Sequence, residues 1–264
     1  MMALGSYTGA LPMVSYAQTH VGRVRDHNED AYLEMSEKGL WVVADGMGGH
    51  AAGEVASQMV VDTLEMELGH IPRNSLTAQH VSNAIKAANR SVHDYASRVL
   101  QGKTLGSTVV ALLVNGNEFH YCWVGDSRGY LFRQGQLRQI TRDHSQVQDL
   151  VDEGMLDQEE AEHHPLANVV TRAIGGQTEV DVDVISGTLQ PGDLFLLCSD
   201  GLSKELSFDQ IHKILNTPSV VDACMALTHS ALVNGGRDNV TSVLVRAFEQ
   251  SPQVEDATVP VLRR

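Results

Sequence analysis

The chain has 264 residues, 42% hydrophobic and 20% charged, and its 33 acidic side chains against 19 basic ones leave a formal net charge of −14. That balance belongs to a globular protein with a substantial core, and it argues against binding nucleic acid or anionic lipid through a basic face. Cys122, Cys198 and Cys224 are odd in number and widely spaced, and the first two sit in apolar runs, so they read as buried thiols in a reducing cytosol rather than as disulfides or a zinc site. No apolar stretch approaches the roughly 20 residues of a bilayer span, and no basic segment precedes an apolar core near residue 1. The expectation is a cytoplasmic protein without a signal peptide.

Short β-rich runs come first, at 13–18, 31–35 and 40–44 (LWVVA). A helix is predicted from about residue 50, where Ala52, Val55, Ala56, Met59, Val60 and Leu64 recur at spacings of three and four. Pro72 and Asn74 punctuate, and a second helix carries Leu76, Val81, Ile85, Ala88, Val92, Tyr95 and Val99 on one stripe. The period then changes to two: 107–114, an Asn115-Gly116 turn, 118–124, 128–133 and 137–140 predict an antiparallel meander. Residues 143–175, polar and rich in His and acids, predict short helices in a mobile excursion over the sheet. Strand patterns return at 180–185 and 194–198 (LFLLC), helices follow at about 208–215 and 219–233, and a last strand spans 240–247. The tail 249–264 has no pattern and is expected to be disordered. Strands in runs and helices in pairs predict an α+β layered fold rather than a parallel βαβ sheet.

Two apolar strands end in Asp-Gly: LWVVADG at Asp45 and Gly46, and LFLLCSDG at Asp200 and Gly201. CWVGDSRG puts Asp126 just after a strand, GGRDNVTSVLV puts Asp238 just before one, and Glu29 and Asp30 follow Asn28. Any one of these is ordinary turn chemistry. Together, at strand ends that can converge on one sheet edge, they form a set of carboxylates that repel one another unless a cation sits among them. Oxygen-only donors select Mg²⁺ or Mn²⁺ over zinc, and Arg25 offers a planar fork for phosphate oxygens. The combination points to phosphoryl chemistry, in which two metals clamp a water and turn it on phosphorus.

RVRDHNED (23–30), VVADGMGGHAAGEVAS (42–57), LGSTVVALL (105–113), VGDSRGYL (124–131), TRDHS (141–145), VVTRAIGG (169–176), LFLLCSDGL (194–202) and GGRDNVTSVLV (235–245) occur in that order. Over about residues 15–247 this ordered set resembles the metal-dependent serine/threonine protein phosphatases of the PP2C (PPM) family, and most closely its compact bacterial members. The resemblance implies a four-layer αββα sandwich, two central mainly antiparallel sheets flanked by helix pairs, in a phosphatase domain at 13–248. It also implies hydrolysis of phosphoserine and phosphothreonine by a water activated at a binuclear Mn²⁺ or Mg²⁺ centre. Residue by residue, Asp45 would bridge both metals and the Gly46 carbonyl would hold one, while Asp200 and Asp238 complete the other. Glu29 and Asp30 match acids that orient metal-bound waters, and Arg25 matches the arginine that grips phosphate, so Arg25, Asp30 and Asp45 form the expected catalytic set. Asp126, with Asp200, fits an additional site for a third ion, and 143–170 corresponds to a flap that bears on substrate choice. The implied partners are phosphorylated proteins, substrates of a bacterial Ser/Thr kinase, and the enzyme is expected to be monomeric.

One departure concerns the proton. Eukaryotic members carry DGH, whereas this chain has Asp45-Gly46-Met47, and a thioether cannot protonate a leaving seryl oxygen. A metal-bound or ordered water is the expected donor, with His50 the nearest side-chain alternative. Other readings fare worse. Residues 46–51 also fit G-x-G-x-x-A, but Asp45 would aim a carboxylate at a pyrophosphate, and the following helix leads to another helix instead of a ribose-binding strand. The twelve histidines, the His163-His164 pair included, show no HExxH spacing. An inactive binding module of the same fold would have lost its metal acids, and all are present. A Ca²⁺ module would need EF-hand spacing and leaves Arg25 unexplained.

Overall fold

The structure, a computed structural model, describes residues 11–48, 52–99, 105–157, 160–161 and 164–248. The tail at 249–264, His50 and His163 lie outside them. In chain order the strands are β1 (Met13–His20), β2 (Asp30–Met35), β3 (Leu40–Gly48), β4 (Leu105–Ser107), β5 (Val109–Asn115), β6 (Glu118–Val124), β7 (Arg128–Arg133), β8 (Gln136–Gln139), β9 (Asp183–Thr188), β10 (Leu194–Cys198) and β11 (Val240–Ala247). The helices are α1 (Ala52–Gly69), α2 (Ala78–Val99), α3 (Gln146–Asp152), α4 (Asp200–Ser203), α5 (Phe208–Leu215) and α6 (Val220–Asn234). One sheet runs β1-β11-β10-β7-β8 and the other β2-β3-β5-β6-β9, with β4 alongside β3, and every pairing between these strands is antiparallel.

The unbroken apolar runs follow from burial on both faces. Along β3, Leu40, Val42 and Ala44 pack with α1 and α2, whereas Trp41 and Val43 meet the opposite sheet. Along β10, Leu194, Leu196 and Cys198 pack with α5 and α6, and Phe195 and Leu197 face inward. A strand covered on both sides has no polar face to alternate with. The result is the αββα layering that the resemblance implied. The three cysteines are buried free thiols, as their sequence setting suggests. No helix among the described residues is long and apolar enough to cross a membrane.

Several expectations need correction. The meander at 107–140 is two hairpins in different sheets: β5 and β6 belong to one, β7 and β8 to the other, and the chain changes sheet at Gly125-Asp126-Ser127. The strand expected at 107–114 breaks at Thr108, whose amide donates to the Asp45 carbonyl (2.8 Å), leaving β4 and β5 on either side. Strand β3 does not stop at Asp45 but continues to Gly48, because β4 supplies it with ladder partners. The strand expected at 180–185 lies at Asp183–Thr188, and α2 begins at Ala78, leaving Leu76 buried ahead of it. The excursion at 143–175 is tied to itself by a bridge between Ser145 and Val170 and a bond from the Gln146 amide to the Val169 carbonyl (2.9 Å).

Candidate metal centre

The period of two that builds the inter-sheet core also builds the site. Continuing the inward set Trp41, Val43 brings Asp45 to the same face, and continuing Phe195, Leu197 brings Ser199. On β2, Ala31, Leu33 and Met35 face the helices, so Asp30 faces inward, directly opposite Asp45 in the ladder. Ser199 Oγ donates to Asp30 Oδ2 (2.8 Å) and accepts from the Thr241 amide (3.0 Å), joining the two sheets at their acidic end. That hydroxyl sits at the N-cap position of α4 yet makes no cap bond, because it serves Asp30 instead.

Arg25, Glu29, Asp45, Gly46, Asp126, Asp200 and Asp238 all line one cleft of about 740 Å³. Asp30 alone of the expected set stands behind it, buried, with its Oδ1 lacking a hydrogen-bond partner. The backbone is tightly fitted here. A Cβ on Gly46 would lie 2.0 Å from the Gly53 carbonyl oxygen, and one on Gly53 would meet the Glu29 carboxylate at 2.8 Å, so both glycines allow the start of α1 to close on the acids. The Glu29 carbonyl accepts from Gly46 N (3.0 Å) and Ser57 Oγ (2.6 Å). Asn239 holds the loop before β2 by accepting from Glu29 N (2.7 Å) and donating to the carbonyls of Val21 and His27 (both 2.9 Å).

The electrostatics are those of a site made for a cation. Burial pushes the Asp45 carboxyl well above its ordinary 3.8, and the charges of Asp200, Asp30, Asp126 and Asp238 push it further. Burial raises Asp30 to about 7, with the hydrogen bond from Ser199 holding it back, and raises Asp126 to about 7, reinforced by Asp200 and eased by Lys204. Two basic groups relieve part of this strain. Arg25 donates to Asp238 Oδ2 (2.8 Å), and Lys204 pairs with Asp200 one helical turn away. Among the described residues no three acids stand close enough for a closed chelate. The donor set nevertheless fits a hard divalent ion: oxygen atoms only, mutually repelling, with the unpartnered Oδ1 of Asp30 buried just behind them.

Sequence reasoning missed several lining residues. Lys204 follows Asp200 by four positions, a signal readable once a helix is placed there. The fork of Arg128 on Asp143, with Nη2 to Oδ2 at 2.7 Å, spans the β7–β8 hairpin and has no local signature. Thr108 accepts from the Asp45 amide (3.3 Å) and shares a 2.6 Å hydrogen bond with Ser127, tying Asp45 to the turn that bears Asp126. Val147, Gln148, His164, Ala167 and Val170 show that the 143–170 segment forms a wall of the cleft.

Comparison with known proteins bears on the family of the whole chain. A family model for protein phosphatase 2C matches residues 18–233. The chain is 41% identical over 228 residues to the serine/threonine protein phosphatase PstP of Mycobacterium tuberculosis, covering 86% of this chain and 44% of that protein. It is 36% identical over 236 residues to the serine/threonine phosphatase stp of Listeria welshimeri, covering 86% and 93% respectively. The chain therefore spans less than half the length of the mycobacterial relative and nearly all of the listerial one. The crystal structure of the PstP catalytic domain in complex with two manganese ions superposes with a TM-score of 0.82 at 38% identity, covering 90% of this chain and 99% of that one.

Proposed function

We propose, for a chain that belongs to the protein phosphatase 2C family, that it hydrolyses phosphoserine and phosphothreonine in proteins without a covalent enzyme intermediate. The observation that carries this reading is the convergence of Asp45, Asp126, Asp200, Asp238 and Glu29 with Arg25 in one cleft at the end of the inter-sheet layer. Asp45, the Gly46 carbonyl, Asp200 and Asp238 would hold two Mn²⁺ or Mg²⁺ ions, with Asp126 and Asp200 available to a third. When bound, the cations supply the Lewis acidity that makes water nucleophilic near neutral pH.

The chain's own residues do the rest. Asp30, fixed by Ser199 and in register with Asp45, would orient water from behind the cleft, and Glu29 would do so beside the start of α1. Arg25 stands at the mouth with about half its side chain exposed, its fork held by Asp238, where it can receive phosphate oxygens in two hydrogen bonds. Met47 lines the cleft and has no proton to give, so the leaving oxygen takes its proton from ordered water. In a cell the opposing activity would be a bacterial Ser/Thr kinase, and the enzyme would work in the cytoplasm as a monomer.

The test is release of phosphate from phosphoserine, phosphothreonine and phosphotyrosine peptides by EDTA-treated protein with and without added Mn²⁺. The reading expects turnover of the first two that depends on metal. Binding of those peptides with no hydrolysis at any Mn²⁺ concentration would favour an inactive binding module of the same fold.

A further inference from the structure

We propose that His144 is a positioning residue that fixes the Gly125-Asp126 turn and through it aims the Asp126 carboxylate into the cleft. The inference rests on the phosphatase reading only for the use to which Asp126 is put. The geometry stands by itself. The Gly125 amide donates to His144 Nδ1 (3.0 Å), and the His144 amide donates back to the Gly125 carbonyl (2.9 Å), a two-way clasp across 19 residues of sequence. An amide N–H can only donate, so Nδ1 is the unprotonated nitrogen and Nε2 carries the hydrogen. Nε2 lies 3.3 Å from Asp183 Oδ2 and 3.2 Å from Arg172 Nη1; with Nδ1 committed to the Gly125 amide, the Nε2 hydrogen goes to the carboxylate, and Arg172 Nη1 donates to that carboxylate's other oxygen at 2.6 Å.

The ring has little freedom. Its side chain is 2% exposed, it stacks on Trp123 with centroids 6.0 Å apart and planes 15° from parallel, and the His144 carbonyl accepts from the Thr171 amide (2.8 Å). Burial and the neighbouring Arg172 charge lower its pKa, in keeping with a neutral acceptor. On the other side of the turn, Gly125 has φ +109°, and a Cβ there would lie 2.5 Å from Thr108. The turn is therefore gripped between Thr108, which also holds Asp45, and His144. A loop that changes sheets has no ladder to set its register, and this clasp takes the ladder's place. The histidine acts on Asp126 through the Gly125 backbone, one bond further out than the outer-sphere partners whose loss weakens metal binding by roughly ten- to a hundredfold.

Replacement by Asn and by Gln separates the two ring nitrogens. In His144→Asn the amide oxygen falls near the position of Nδ1, whereas in His144→Gln it reaches only toward that of Nε2, and His144→Leu keeps bulk with neither. Two readouts apply: hydrogen exchange of the Gly125 amide by NMR in metal-free protein, and Mn²⁺ affinity by calorimetry. The expected result is near wild-type behaviour for Asn, with Gly125 exchange about tenfold faster and the weakest Mn²⁺ step roughly tenfold weaker for Gln and Leu. Should Leu fail to fold, the Asn–Gln pair still decides. Equal exchange and affinity in Asn and Gln would overturn the proposal, as would an Asn variant as impaired as Leu, which would assign the ring's role to packing on Trp123. Wild-type protein that binds Mn²⁺ but cleaves no phosphopeptide would retire the phosphatase reading and leave this inference intact.

Discussion

The two ends of the inter-sheet layer are made by the same strands and differ in everything else. At one end Trp41, Val43, Phe195, Leu197, Val243 and Val245 exclude water and hold the sheets together. One step further along the same faces stand Asp45, Ser199 and Thr241, with Asp30 opposite Asp45. The dry end stabilises the fold through area removed from water. The acidic end works against it, since burial and mutual repulsion push the carboxyls of Asp45, Asp30 and Asp126 upward. A single strand thus carries a stabilising segment and a destabilising one, and the second is tolerable because the first is well packed.

The contrast can be broken from either end. The largest expected effect is on turnover: Asp45→Asn should lower kcat by about a thousandfold or more, since it removes the ligand expected to bridge both metals. The same variant should melt no lower than wild type without metal, because it removes a repelled charge. Calorimetric melting beside phosphopeptide kinetics checks both halves, and near-normal activity would refute the assignment. Phe195→Ala, at the dry end, should do the reverse, losing about 3–5 kcal/mol of stability in a denaturant titration while the remaining folded protein keeps its Mn²⁺ affinity.

A pH series sharpens the contrast further. Asp30 and Asp126 hold protons in the folded metal-free chain up to about 7 but release them near 3.8 when unfolded. The folded state therefore binds more protons between those values, and stability falls as pH rises through the window. Saturating Mn²⁺ should flatten that fall; a metal-free stability that climbs from pH 4 to 7 would contradict the raised values. The smallest effect is expected at the mouth, where Arg25→Ala should raise KM about tenfold with less change in kcat. An unaltered KM would take Arg25 out of phosphate binding.

Legibility in the sequence tracks the same division. The acids were identifiable because each borders a strong strand signal, whereas the inward face shared by Trp41, Val43 and Asp45 is hidden in an apolar run without alternation. The change of sheet after β6 was not legible. Residues 121–124 are buried on both faces, so no alternation shows which sheet the next strand joins, and adjacent apolar runs default to a meander. Asp45 as a mid-strand residue was hidden for a related reason, since the three-residue β4 that extends β3 is too short to carry a pattern. Long-range polar pairs such as Ser199 with Asp30, 169 residues apart, or His144 with Gly125 leave no trace in local periodicity.

The central claim, that the acidic end is held in an unfavourable state which a divalent cation relieves, is tested most directly by titrating metal-free protein with Mn²⁺ and following its melting temperature, in wild type and in Asp45→Asn. The account predicts a rise of several degrees in wild type that saturates with Mn²⁺ and is largely lost in the variant. A melting temperature indifferent to Mn²⁺ in wild type, or an equal rise in both proteins, would contradict it.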